Sequence, residues 1–269
     1  MRGGTAFARV RSMDSPSAEL NAALAAAEQA GAIARSLYQR NLEVRVKDDK
    51  TPVTDADVRC EIAIRAILES RFPSFGFCGE ETGTRDEGAE SVWLVDPIDG
   101  TKAFVREYPM FSTQIALMRA GEIVLGVSSA PIYGELAHAE KGRGAYLNGE
   151  RLAVSTVAAI ESAALSAGNL KSLASGPGWT RYGQLVARVN RIRGYGDFLH
   201  YHLLAAGKID AVIESDINIL DIAACAAIVT EAGGRFTDLG GAPITRKSTS
   251  VLASNGRLHA AVLEALRPS

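Results

Sequence analysis

The chain has 269 residues, of which 47% are hydrophobic and 22% charged, with a formal net charge of −2. This charge balance gives no support for a nucleic-acid binder, which usually carries a basic face. No apolar run approaches the ~18 residues that span a bilayer, and the three scattered cysteines indicate neither a disulfide framework nor a Cys-rich zinc site. We therefore expect a protein of the reducing cytoplasm with no membrane partner.

The N-terminal part of the chain divides into three predicted pieces. Residues 1–17 show no signal-peptide pattern and are predicted to be a disordered extension, and residues 18–269 to form a single domain. Apolar residues at near-helical spacing predict a first helix over residues 18–40. Thr54, followed three residues later by Asp57, has the pattern of a capping box and predicts a second helix that ends near Phe72.

The pattern then changes to short β-rich runs separated by Gly or Pro. Strands are predicted at 92–96, 112–119 and 122–129, with two more around a Gly-rich turn between Gly134 and Gly149. Later strands are predicted at 162–167, 191–195, 209–214, 234–238 and 250–254, and helices around 178–189, 198–207, 221–232 and 256–266. Interleaved helices and strands without a strict βαβ alternation predict a layered, mixed α/β architecture.

An acidic segment, Asp96-Pro97-Ile98-Asp99-Gly100-Thr101, follows the apolar strand at residues 91–95. Two carboxylates with a backbone carbonyl between them offer several hard oxygen ligands, which Mg²⁺ prefers. Gly100 leaves room for a phosphate to reach the main chain. The alternative is a surface turn, because Asp-Pro and Asp-Gly pairs are common turn formers.

Three further acidic positions are candidates for the same site. Glu80 lies in Gly79-Glu80-Glu81-Thr82-Gly83, which could instead be a solvated loop. Asp221 and Asp57 lie at helix starts, where an acidic residue is first of all a cap. If the four carboxylate positions converge, cations must neutralise them, so the joint interpretation is a metal site.

With these residues the sequence resembles the inositol monophosphatase superfamily of Mg²⁺-dependent phosphatases. The resemblance covers the chain from about residue 20 and rests on four blocks in the family's order. These are Pro52–Asp57, Gly79–Glu81, Asp96–Thr101, and Leu220–Ala224 running into Glu231–Gly234. It implies an αβαβα sandwich, often assembled as a homodimer, that acts on small phosphate monoesters.

The resemblance also implies roles for individual residues. Glu80, Asp96 and the Ile98 carbonyl would hold one Mg²⁺, and Asp96, Asp99 and Asp221 a second. Glu80 and Asp57 would help to bind a third through water, and Mn²⁺ could replace Mg²⁺. The backbone N–H groups of Gly100 and Thr101 would receive the phosphate, and Thr101 paired with Asp57 would orient and deprotonate the attacking water. One departure is Leu220, where the family usually has Trp.

The alcohol part of the substrate is predicted from the segments around 102–112 and 194–214, which look more like the histidinol-phosphatase branch than like inositol phosphatases. A carboxylate at Asp197, aided by Glu214, would attract the ammonium group of histidinol phosphate. The alternatives are an N-cap role for Asp197 and a strand-end surface position for Glu214. We expect histidinol phosphate first and inositol 1-phosphate or a broad range of sugar phosphates second.

Two other assignments complete the sequence-based predictions. His138, His200, His202 and His259 lack metal-motif spacing and are predicted to have surface or structural roles. A non-catalytic metal- or phosphate-binding regulatory protein is the remaining alternative. The intact set of acidic residues and Thr101 argues against it, since a degenerate enzyme would be expected to lose some of them.

Overall fold

The computed structural model describes residues 15–40, 44–46 and 52–267 of the chain. Within them the helices are α1 (Ala18–Leu37), α2 (Asp55–Arg71), α3 (Thr101–Val105), α4 (Lys171–Ser175), α5 (Gly178–Val186), α6 (Asp197–Ala205), α7 (Ile219–Glu231) and α8 (His259–Leu266), with a 3₁₀ turn at Ile160–Ser162. No described helix has the length and apolar character that a membrane crossing would require.

The strands form one large sheet, one smaller sheet and a short ribbon. The ribbon pairs β1 (Val44–Val46) with β2 (Pro52–Thr54). The large sheet contains β3 (Gly76–Gly79), β4 (Thr84–Arg85), β5 (Ser91–Asp99), β6 (Ser112–Arg119), β7 (Glu122–Ala130), β8 (Glu135–Glu140), β9 (Gly144–Leu147) and β10 (Glu150–Arg151). The smaller sheet contains β11 (Ala164–Ala167), β12 (Arg191–Arg193), β13 (Ala211–Ser215), β14 (Arg235–Thr237) and β15 (Ser250–Ser254).

The order of strands in each sheet brings distant parts of the sequence together. The large sheet runs β10-β9-β8-β7-β6-β5-β3-β4, and the smaller one β12-β11-β13-β15-β14. Strand β5, which carries the acidic segment, pairs parallel to β3 and antiparallel to β6. The β3–β4 end therefore lies beside the acidic segment, together with the loop that carries Glu80.

Three hydrophobic clusters separate five layers. One cluster packs α1 and α2 against a face of the large sheet. A second fills the space between the other face of that sheet, α6, α7 and the smaller sheet. The third packs α5 and α8 on the outer face of the smaller sheet. This αβαβα order confirms the predicted layered sandwich.

Local sequence explains why the first helices begin where they do. The Ser17 hydroxyl accepts from the Leu20 N–H at 3.0 Å, which satisfies one unpaired donor of the first turn of α1. In α2 the predicted capping box is confirmed, because Thr54 caps the helix and the Asp57 carboxylate accepts the Thr54 N–H at 2.8 Å. Alanines supply much of the buried face of α1, which allows close packing on α2.

Most predicted elements are confirmed within a few residues. The clearest correction concerns β5, which was predicted to end at residue 96 but continues to Asp99. Sequence reasoning also missed the short helices α3 and α4, since five residues are too few to show a period. The predicted N-terminal extension lies, up to residue 14, outside the described residues and stays a prediction.

Candidate metal centre and active site

The acidic segment is part of a strand and not a surface turn. Pairing between β5 and β6 is regular up to Asp96, then shifts register before Asp99 pairs with Ser112. Pro97 sits in this irregularity, where a residue without an N–H is tolerated, and its carbonyl accepts from the Thr113 hydroxyl at 2.9 Å. The turn alternative is therefore wrong, and the strand irregularity places two carboxylates beside each other.

Asp221 reaches the same place from α7. It is the third residue of that helix, and its carboxylate accepts the Asn218 N–H at 3.1 Å in a capping box. The capping interpretation is thus confirmed. It does not compete with a second role, because Asp221 also lines the cavity that contains Asp96 and Asp99.

Oxygen atoms of Asp96, Asp99 and Asp221 lie within 4.8 Å of one another. Burial raises the pKa of Asp96 well above its usual value, and the charges of Glu80, Asp99 and Asp221 add to this. Burial likewise raises the pKa of Asp99, and it raises that of Asp221 to about 7 despite the opposing Asn218 N–H. Three partly desolvated carboxylates repel one another in this way unless a cation shares them.

The donor set fits a hard divalent cation. Clustered carboxylate oxygens are the ligands that Mg²⁺ typically takes in proteins. Burial and the neighbouring carboxylates raise the pKa values of Asp96 and Asp99, as expected for acidic groups that a bound cation would stabilise. Glu80 lines the same cavity but is not one of the three residues in the tight cluster.

A buried carboxylate that sequence reasoning missed, Glu61, shapes the loop that carries Glu80. Its two oxygens accept the N–H groups of Glu81 at 2.7 Å and Thr82 at 2.6 Å, and also the Thr82 hydroxyl at 2.5 Å. A side chain at Gly79 would collide with this carboxylate. Glu61 therefore holds the loop in place through these hydrogen bonds. A glycine is required at position 79 because the Glu61 carboxylate lies too close for a side chain there.

We expect Glu61→Gln to lower the free energy of unfolding by about 2–3 kcal/mol. The NH₂ group of the new amide is a donor, and it would face N–H or O–H groups that now donate to the Glu61 carboxylate. Urea denaturation of the metal-free protein measures this effect. Glu28→Gln, on the exposed side of α1, is the matched control and should change stability by no more than about 0.5 kcal/mol. A Glu61→Gln variant as stable as this control would contradict the assigned role.

Asp57 and Thr101 are brought together as the sequence-based prediction requires. The Thr101 hydroxyl lies 3.1 Å from Asp57 Oδ1 and 3.1 Å from the Ile98 carbonyl oxygen. Asp57 Oδ2 accepts the Thr54 hydroxyl at 2.6 Å. Burial raises the pKa of Asp57, while these hydrogen bonds oppose the shift.

The turn between β5 and α3 needs a glycine. Gly100 has φ = +90°, and a Cβ there would collide with the Met110 carbonyl. This turn places Ile98, Gly100 and Thr101 on the wall of the cavity. The predicted phosphate contacts and the predicted carbonyl ligand thus lie next to the carboxylate cluster.

Asp197 lies on another wall of the cavity in an uncommon backbone conformation. Its φ is +44°, which Asp tolerates better than most residues. Gly196 is the N-cap of α6 and Asp197 its first helical residue, so the N-cap alternative for Asp197 is wrong. Burial raises the pKa of Asp197, the Glu214 charge adds to this, and His200 opposes it.

Glu214 is buried, with 7% of its surface exposed, so the surface alternative is wrong. It accepts the Tyr201 hydroxyl at 2.7 Å and the Asn169 N–H at 3.2 Å, and His200 Nε2 lies 3.3 Å away. Burial alone would raise the pKa of Glu214, but the neighbouring His200, Tyr201 and Asn169 outweigh it and lower the pKa. Glu214 is therefore held largely by internal partners.

The cavity has a volume of about 370 Å³, enough for a small phosphate ester. Lys102, Tyr108 and Tyr201 also line it, and they lie within the two segments, 102–112 and 194–214, that were predicted to choose the substrate. Asn169 and Asp216 line it as well, and no sequence pattern marks these two. Leu220, the departure from the family pattern, is buried in the central cluster, and Asp221 keeps its capping bond beside it.

The chain is similar to known proteins over nearly its whole length. The family model described as the inositol monophosphatase family matches residues 16–269. The chain belongs to this family. Its membership confirms the prediction of a phosphoric monoester hydrolase.

Individual relatives resemble the chain over nearly its whole length. A histidinol-phosphatase of Mycobacterium tuberculosis is 40% identical over 92% of this chain and 97% of its own. An inositol-1-monophosphatase of Caulobacter vibrioides is 36% identical over 90% and 98%. The crystal structure of the extragenic suppressor protein suhB from Bartonella henselae superposes with a TM-score of 0.86 at 33% identity, covering 93% of this chain and 99% of that one. The fold assignment is thereby confirmed.

Proposed function

We propose that this protein hydrolyses histidinol phosphate to histidinol and phosphate with the help of Mg²⁺. The observation that carries the proposal is the composition of one cavity. A three-carboxylate cluster lies on one side of it, and the carboxylate of Asp197 faces the same space. The first part suits a cation that binds phosphate, and the second suits a substrate with an ammonium group.

The acidic residues would bind the Mg²⁺ ions in two groups. Glu80, Asp96 and the Ile98 carbonyl would hold one Mg²⁺, and Asp96, Asp99 and Asp221 another. A third ion near Glu80 and Asp57 and replacement by Mn²⁺ belong to the same proposal. Bound Mg²⁺ would supply Lewis-acid stabilisation of the phosphate and a lower pKa for water.

The protein's own residues prepare the attacking water. The Thr101 hydroxyl donates to Asp57 Oδ1, so the Thr101 oxygen can in turn accept a hydrogen bond from a water molecule in the cavity. Asp57 then takes up the proton through Thr101 while the water attacks phosphorus. Its raised pKa makes it a better base than an exposed aspartate.

Substrate choice follows from how Asp197 and Glu214, two of the carboxylates on the cavity wall, are occupied. Glu214 is engaged with Tyr201, Asn169 and His200. By contrast, no hydrogen bond to the Asp197 carboxylate is found among the described residues, and burial and the Glu214 charge raise its pKa while His200 lowers it. Of these two carboxylates, Asp197 is the one that no described residue engages by a hydrogen bond and that could receive an ammonium group, and Glu214 supports it through its charge.

We expect Asp197→Asn to reduce kcat/KM for histidinol phosphate by about 10- to 100-fold, because one charge-assisted hydrogen bond is lost. The same change should leave kcat/KM for inositol 1-phosphate within about threefold, since that substrate carries no cation. Asn tolerates the left-handed backbone of this position, so the variant should fold. Steady-state phosphate release with both substrates measures the contrast.

Equal losses on the two substrates would contradict the ammonium contact and favour a general positional role for Asp197. Faster turnover of inositol 1-phosphate by the wild-type protein would favour the inositol-phosphate alternative. Several relatives of the chain carry the name inositol-1-monophosphatase. No phosphate release from any monoester would favour a non-catalytic metal- or phosphate-binding protein.

A homodimer and a cytoplasmic location also belong to the proposal. Sedimentation tests the first and cell fractionation the second.

A further inference from the structure

A chain of buried polar side chains leads away from Asp99 through the large sheet. Ser112 Oγ lies 3.3 Å from Asp99 Oδ2. Gln114 Nε2 lies 2.7 Å from Ser112 Oγ and 3.0 Å from Ser128 Oγ, and His202 Nε2 lies 2.9 Å from Ser128 Oγ. Ser112, Gln114, Ser128 and His202 are all buried.

The register of the strands explains why these side chains meet. Asp99 on β5 lies opposite Ser112 on β6, and Gln114 on β6 lies opposite Ser128 on β7. Ser112 and Gln114 are two residues apart, so they share one face of the sheet. Paired side chains on neighbouring strands are within contact distance, and the chain of hydrogen bonds follows.

The amide of Gln114 gives the chain a direction. Its nitrogen is only a donor, so both serine oxygens accept from it. The amide oxygen accepts from the Cys225 thiol at 3.7 Å, in agreement with this orientation. Because the Ser112 oxygen already accepts from Gln114, its single proton is directed to Asp99 Oδ2.

We infer that Gln114 is a positioning residue for the metal centre: by fixing the direction of the Ser112 hydroxyl, it holds the Asp99 carboxylate in its orientation towards the cation site. The inference rests on the proposed function. Hydrogen bonds that orient metal-binding side chains contribute strongly to metal affinity, and their loss typically costs about 10- to 100-fold. Buried polar groups with all partners satisfied also favour one arrangement over others.

The first test is Gln114→Met, which keeps the approximate size of the side chain and removes both donors. Calorimetric titration with Mg²⁺ in the absence of substrate should show about tenfold weaker binding. Gln184→Met, at an exposed position of α5, is the matched control and should bind Mg²⁺ like the wild type. Wild-type affinity in Gln114→Met would overturn the inference.

A double-mutant cycle separates positioning from a general loosening of the fold. Ser112→Ala should weaken Mg²⁺ binding by about tenfold as well, since it removes the hydroxyl itself. In the double variant Ser112→Ala/Gln114→Met the loss should stay near that of Ser112→Ala alone, because both changes act through one hydroxyl. Independent losses that multiply to about 100-fold would overturn the inference.

Two further outcomes have defined meanings. If Gln114→Met does not fold, Gln114→Asn replaces it, because the shorter amide cannot reach both serines. Wild-type protein that binds no Mg²⁺ would overturn the proposed function and this inference with it. If the wild-type protein binds Mg²⁺ and both single variants bind it equally tightly, this inference is overturned and the proposed function still stands.

Discussion

Asp99→Asn should reduce phosphate release at least about 1000-fold, since loss of one metal-binding carboxylate removes roughly 4 kcal/mol of transition-state stabilisation. The structure predicts that the fold survives this change. Asn has nearly the same shape, and its carbonyl oxygen can still accept from the Ser112 hydroxyl. The substitution also removes one of the mutually repelling charges that raise the pKa of Asp96.

Two measurements together make this prediction specific. Activity should fall, while urea denaturation of the metal-free variant at about pH 8 should show equal or greater stability than the wild type, because repulsion is relieved. Asp86→Asn is the matched control, at an exposed left-handed position that Asn also tolerates. Near-normal turnover of Asp99→Asn in saturating Mg²⁺ would contradict the assigned metal site.

The stability of the metal-free protein should fall as the pH rises from about 6.5 to about 7.5, the interval in which Asp221 loses its proton. The folded-state pKa values of Asp96, Asp99 and Asp221 lie above the usual 3.8, and that of Asp221 is about 7. In such groups the stabilising, protonated form is present at low pH and is lost as the pH rises through the folded-state pKa. Each of them costs up to about 1.4 kcal/mol per pH unit between its unfolded-state and folded-state pKa values, and nothing further above the folded-state value.

The pH range avoids an opposing effect from a buried histidine. Burial lowers the pKa of His259 from 6.5 to about 4, so below pH 6.5 its contribution to stability rises with pH. Above pH 6.5 the carboxylates dominate the pH dependence of stability. Mg²⁺ should raise the thermal midpoint more at pH 8.5 than at pH 6.5, because it binds the deprotonated ligands.

Thermal unfolding with EDTA and with Mg²⁺ at several pH values checks this prediction. The pH dependence of the metal-free protein should be shallower in Asp99→Asn, which lacks one of the three titrating groups. Metal-free stability that stays flat or rises across this range would contradict the view that the carboxylates repel one another.

The sequence located the centre of the site because its residues obey local rules. Thr54 and Asp57 form a capping box, and Asp221 is a helix-start residue, so both side chains could be placed on helix ends before the fold was known. The acidic segment at 96–101 was recognisable by its family resemblance. Its backbone was not, since a proline inside a strand looks like the end of that strand.

Other features depend on tertiary structure and leave no local signal. Glu61 has the appearance of an ordinary helix residue, and only the fold shows its carboxylate beneath the Glu80 loop. Glu214 looked like a strand-end residue but is buried against His200 and Tyr201. Asp197 was expected to be a helix cap or a substrate contact, and a positive φ at a helix start cannot be read from a single sequence.

Metal-dependent hydrolysis of histidinol phosphate is tested most directly by a parallel measurement of kcat/KM for histidinol phosphate and inositol 1-phosphate with the wild-type protein. The assays are run in Mg²⁺, after EDTA, and after Mg²⁺ is restored. We expect faster hydrolysis of histidinol phosphate, loss of both activities in EDTA and their recovery with Mg²⁺. Hydrolysis that persists in EDTA, or faster turnover of inositol 1-phosphate, would contradict this expectation.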